Sequence, residues 1–103
     1  MIRIKVYKKN NKIDKIVFRG HACFEQYGKD IVCAAVSATV LTSINAILSI
    51  DENSINVKQN NNNIDFLILN NNVITLKLIN NMLNSLKSIE KDYPKNIEII
   101  EEE

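Results

Sequence analysis

The chain has one histidine, two cysteines, one proline and no tryptophan in its 103 residues. Each shortage closes a route. If the protein is a thiol enzyme using an imidazole base, that base has to be His21. The two cysteines, Cys23 and Cys33, are too far apart in sequence for a CxxC redox pair, and a structural zinc normally takes four ligands. His21, Cys23 and Cys33 supply three, so a closed site would have to recruit Asp30, Glu25 or another subunit. No metal or other cofactor is expected. The N-terminus lacks the apolar core and small-residue cleavage site of a secretory signal, which makes cytoplasmic residence and reduced thiols the expectation. No apolar run approaches bilayer-spanning length on inspection, so a soluble protein without a membrane partner is expected.

What is present fits a small globular protein. Apolar residues make up 46% of the chain and charged residues 24%, which excludes wholesale disorder. A chain of this length is read as a single domain over residues 1–103, with a core of modest size. The net charge of +1 hides an asymmetry. Residues 1–29 carry eight Lys/Arg against Asp14 and Glu25, and the remainder carries five Lys against ten acidic residues. A basic front suits phosphate or an acidic partner, but lysine-rich solvated strand faces are common and charge alone decides nothing.

Hydrophobic periodicity lays out the elements. Ile2, Ile4 and Val6 alternate with Arg3, Lys5 and Tyr7, Asn10-Asn11 offers turn chemistry, and Ile13–Phe18 returns, which together predict an antiparallel hairpin closed by Gly20. Residues 21–29 show no clean period and read as a mobile surface loop. From Asp30, placed to cap a helix, Val32, Val36, Val40, Ile44 and Leu48 recur every four residues, with Leu41 and Ile47 widening the stripe as far as Ile50. A second hairpin is predicted from Ile55–Lys58 and Ile64–Leu69 around the asparagine tract. A second helix follows over about Thr75–Glu90, ended by Tyr93-Pro94, and a last short strand contains Ile97 and Ile99. The order ββαββαβ implies an α+β two-layer sandwich, a mainly antiparallel sheet with two helices on one face. The strand order cannot be read. The small core and open sheet edges make a homodimer the expected assembly.

Chemistry concentrates where the central helix begins. Cys33 falls in the first helical turn, and a thiol is a useful nucleophile only as thiolate. A helix N-terminus contributes roughly 0.3–1 kcal/mol toward that, up to about 2 in partly buried geometry, so an adjacent imidazolium is needed as well. A loop delivering His21 over the helix start would supply it. Asp30, Cys33 and Ser37 share one helical stripe about one residue's turn from Val32, Val36 and Val40, so the polar stripe can face a cleft while the valines face the sheet. Against this stands the plain alternative that Cys33 is a small buried apolar residue among alanines and His21 a solvated loop residue.

The residues themselves go further than their spacing. Gly20-His21-Ala22, Tyr27-Gly28-Lys29 and the unbroken Asp30-Ile31-Val32-Cys33-Ala34-Ala35-Val36-Ser37, with the later Tyr93-Pro94-x-x-Ile97-x-Ile99, resemble the ribosomal-processing cysteine protease family, Prp. The resemblance implies a cytoplasmic homodimeric cysteine endopeptidase that removes a short N-terminal extension from the precursor of large-subunit ribosomal protein twenty-seven. It implies Cys33 as nucleophile and His21 as base, with Gly20 permitting movement of the loop and Asp30 and Ser37 as supporting polar residues. Cys23 departs from the pattern and is expected to be dispensable. A reading of another class remains beside it, a ribosome-associated RNA-binding module using Arg3, Lys5, Lys8, Lys9, Lys12 and Lys15, although the chain lacks aromatic stacking motifs and the protease reading does not require nucleic acid.

Overall fold

A computed structural model describes residues 1–20, 31–60 and 63–102. Its elements are β1 (Ile2–Lys9), β2 (Lys12–Arg19), α1 (Ile31–Ile50), β3 (Ile55–Asn60), β4 (Asn63–Ile68), α2 (Val73–Asp92) and β5 (Ile97–Glu102). The five strands form one sheet in the order β3-β4-β2-β1-β5. Three pairings are antiparallel, and β5 joins β1 in parallel with Ile2 opposite Ile97 and Ile4 opposite Ile99. The predicted α+β sandwich and its ββαββαβ order are what the chain adopts.

The β1–β2 turn depends on its two asparagines. Asn10 and Asn11 both have positive φ, 54° and 66°, the combination that a two-residue hairpin loop demands and that asparagine tolerates. One register shift between Tyr7 and Lys8 leaves Asp14 as the extra residue on β2. The bulge explains an irregular sequence pattern. Past it, Ile13 joins Ile16 and Phe18 on the inner side instead of facing outward.

The inner face of the sheet carries Ile4, Val6, Ile16, Phe18, Phe66 and Ile97, and they form one buried cluster with Val36, Val40 and Ile47 of α1 and Ile79, Met82 and Leu86 of α2. Phe18 and Phe66 are the largest fully enclosed side chains. Phe66→Ala should therefore cost about 3–5 kcal/mol of stability, and chemical denaturation of the two proteins side by side checks it.

Several boundaries differ from the sequence reading. The second helix is longer than expected, because the Asn72 side chain accepts a hydrogen bond from the Thr75 N–H at 2.9 Å and so starts α2 at Val73. At the other end the Tyr93 N–H donates to the Ile89 carbonyl at 2.9 Å. The asparagine tract is not all loop, since the β3–β4 ladder continues through Gln59 opposite Ile64 to Asn60 opposite Asn63. Leu41, expected to widen the core stripe of the central helix, is 47% exposed. It lies about 100° around the helix from fully buried Val40. The expectation that no apolar run approaches spanning length is also corrected, because α1 has 20 residues, no charged side chain and the length and composition of a membrane span. Val36, Val40 and Ile47 of this helix are enclosed in the core.

Candidate active site

The topology sends particular chain ends to one end of the sheet. Strand β2 finishes there at Arg19, β1 starts there, the β3–β4 hairpin closes there at Asn60 and Asn63, and α2 turns into β5 there through residues 93–96. The Ile2 N–H donates to the Asn96 carbonyl at 2.9 Å and ties two of these segments together. His21, Cys23, Glu25 and Asp30 lie outside the described residues. Their flanks do not.

Gly20, immediately before His21, has φ of +84°, and a Cβ added to it would stand 2.5 Å from the Met1 carbonyl oxygen. Two constraints thus exclude a side chain, the left-handed backbone and the neighbouring main chain that leads into β1. The resemblance gave this glycine a role in movement. Its requirement here is already static.

Cys33 is the third residue of α1, in its first turn, and is only 6% exposed. It packs within the same apolar cluster as Val32 and Val36 rather than standing open on a polar stripe. Ser37, one turn further on, is half-buried. The described part of the first turn contains no acidic side chain, so the positive end of the helix is not neutralised there by α1 itself. Of the five residues singled out from sequence, Gly20, Cys33 and Ser37 are therefore described. Gly20 follows the strand that leads into the His21 segment, and Cys33 lies in the first turn of the helix that follows that segment.

The charge asymmetry resolves inside the fold. The parallel pairing sets basic β1 beside acidic β5, with Arg3 Nε 3.5 Å from Glu98 and Lys8 Nζ 2.6 Å from Glu101. Lys87 of α2 also reaches Glu101, at 3.8 Å. The hydrogen bond from Lys8, and then the charge of Lys87, hold the Glu101 carboxyl below the ordinary carboxylate range. Arg19 pairs with Asp65 at 2.8 Å, and the Lys15 ammonium lies over the Tyr7 ring, 5.8 Å from its centroid. Arg3, Lys8 and Lys15, three of the six cations of the RNA-binding reading, thus have partners within the sheet. Sequence reading missed this because strand order decides which charges become neighbours.

Comparison with known proteins places this arrangement. A family model described as cysteine protease Prp matches residues 1–98. The ribosomal processing cysteine protease Prp of Staphylococcus aureus is 34% identical over 91 residues, covering 85% of this chain and 86% of that protein. Among solved structures, the S. aureus ribosomal processing protease Prp with a covalently linked product peptide superposes with a TM-score of 0.88 at 30% identity, over 98% of this chain and 99% of the other. The same S. aureus protease in complex with a substrate peptide gives 0.87 at 27% identity, with the same coverage. SMU.848 from Streptococcus mutans shares the fold, with a TM-score of 0.84 at 19% identity over 100% of this chain and 96% of the other.

Proposed function

Because the chain belongs to the Prp family of cysteine proteases, we propose that it is a cytoplasmic, single-domain endopeptidase that trims the N-terminal extension from the precursor of large-subunit ribosomal protein twenty-seven and works as a homodimer. Cys33 is the nucleophile in this reading, and His21 is its base. The observation that carries it is the position of Cys33 in the first turn of α1, the helix that follows the segment into which β2 leads and which holds the one histidine.

The chemistry is acyl transfer. His21 takes the thiol proton, and the Cys33 sulfur attacks the scissile carbonyl to form a tetrahedral oxyanion. Backbone N–H groups at the start of α1 are the donors available to that oxyanion, assisted by the positive end of the helix. Collapse breaks the peptide bond, and His21 returns the proton to the departing amine. A thioester on Cys33 remains. Water, deprotonated by His21, attacks it and restores the free thiol with release of the new carboxylate. No step calls for a metal. Asp30 and Ser37 are supporting polar residues in this scheme, and Gly20 sets the path into the segment that bears the base.

The test is direct. Purified protein incubated with the full-length precursor should yield a single N-terminal truncation, read by intact-mass spectrometry, and charge reversal at Lys5 and Lys15 should leave that cleavage within about twofold. An intact precursor after prolonged incubation under reducing conditions would overturn the assignment of substrate.

A further inference from the structure

We infer that the exposed face of α1, continued across the groove to α2, is the surface on which two copies of this chain meet; the inference rests on the proposed homodimer and assigns its interface. Roughly a quarter of the chain is charged, so a helix of 20 residues would be expected to hold about five charges, and α1 holds none. Burial does not account for that. Ile31 and Leu41 are 62% and 47% exposed, and Ala34, Ala38 and Asn45 complete with them an exposed stripe at spacings of three and four.

The uncharged surface extends onto the middle of α2, bounded by Lys77 one turn before Asn81. Asn81 and Ser85 of α2 close a groove of about 330 Å³ against Ala38 and Thr42. Lys87 of α2 turns the other way, toward Glu101 of β5. Three of the four hydroxyls that line the groove are already satisfied within their own helices. Thr39 and Ser43 donate to the carbonyls of Ala35 and Thr39 at 2.8 and 2.7 Å, and Ser85 donates to that of Asn81 at 3.1 Å. Covering such groups removes water from donors that do not depend on it, which lowers the desolvation cost of an interface.

The occupant follows from symmetry and size. An isologous interface sets one surface against a copy of itself, so every charge in it meets its own image near the two-fold axis, and a surface without charge avoids that repulsion. Two helices about 30 Å long and about 10 Å apart present on the order of 600 Å², close to the roughly 800 Å² that each partner gives to a standard interface. Ile31 and Leu41 supply apolar anchors, and the small side chains between them allow close helix approach.

Analytical ultracentrifugation of the full chain tests this. The wild type should sediment as a dimer, Leu41→Lys should raise the dissociation constant at least about a hundredfold, and Lys5→Glu, on the sheet face turned away from both helices, should leave it unchanged. Asn45→Lys, at a position already polar and exposed, should act like Leu41→Lys and guards against a folding defect, with circular dichroism as the check. A dimer unaffected by both lysines would assign the interface elsewhere and overturn the inference while leaving the homodimer intact. A wild type that is monomeric throughout would remove the homodimer reading itself. Binding of wild type, and not Leu41→Lys, to phosphatidylcholine vesicles without dimerisation would overturn both in favour of a membrane-facing helix.

Discussion

Cys33→Ala is expected to lower precursor cleavage by about 10⁴-fold or more while leaving the fold in place. The size of the effect comes from chemistry. Without the sulfur no covalent acyl intermediate forms, and what remains is binding and any electrostatic stabilisation of the transition state. The structural cost is small by comparison, on the order of 1 kcal/mol for one sulfur lost from a well-packed position. The variant should therefore melt cooperatively a few degrees below wild type and still bind the uncleaved precursor. Cys23→Ser is expected to cleave normally. If the two variants exchanged phenotypes, the nucleophile would be Cys23. If Cys33→Ala lost both activity and fold, its role would be that of a core residue. Steady-state cleavage rates paired with thermal melts separate these outcomes.

Gly20→Ala carries the second large effect, and it acts without touching the chemistry. A φ of +84° costs a residue with a Cβ about 1–3 kcal/mol, and the new Cβ would also meet the Met1 carbonyl oxygen at 2.5 Å. That oxygen belongs to backbone leading straight into β1, so it cannot turn aside as a flexible side chain would. Relief has to come from moving the end of β2, and hence the entry to the segment that holds His21. The expected result is a melting temperature lower by about 4–8 °C for each kcal/mol lost, together with a fall in kcat measured well below the melt. Gly20→Asn, more tolerant of positive φ, should recover only part of the stability, because the Cβ contact is unchanged. Wild-type stability and activity in Gly20→Ala would contradict the description of this corner.

Much of the architecture was legible because its signals are local. The alternation of Ile2, Ile4 and Val6, the four-residue spacing of Val32, Val36 and Val40, and the proline at position 94 each act within a few residues of themselves. What escaped is non-local. Nothing near β1 announces that its second neighbour is β5, in parallel, yet that pairing brings Arg3 to Glu98 and Lys8 to Glu101 and accounts for the opposite charge of the two ends of the chain. Leu41 escaped for a related reason. It has the hydrophobicity of a core residue and nearly the right spacing, and only the angular position of the sheet and α2 around α1 shows that it faces out.

At the site, the proposal of Cys33 and His21 rests on a resemblance, and the fold supplies the reason for Gly20 that spacing could not. Cys33 was expected on a polar stripe bordering a cleft. It packs instead within the apolar cluster at the start of α1, which makes the location of its sulfur during turnover the decisive question.

The central claim is that Cys33 carries the acyl group, and trapping the enzyme during turnover tests it most directly. Acid quench, trypsin digestion and peptide mass spectrometry separate the two candidates, because cleavage after Arg19, Lys29 and Lys58 puts Cys23 and Cys33 on different fragments. The account predicts a hydroxylamine-labile adduct with the mass of the substrate's N-terminal portion on the Asp30–Lys58 fragment. An adduct on the Gly20–Lys29 fragment, or steady cleavage with no covalent adduct on either, would contradict it.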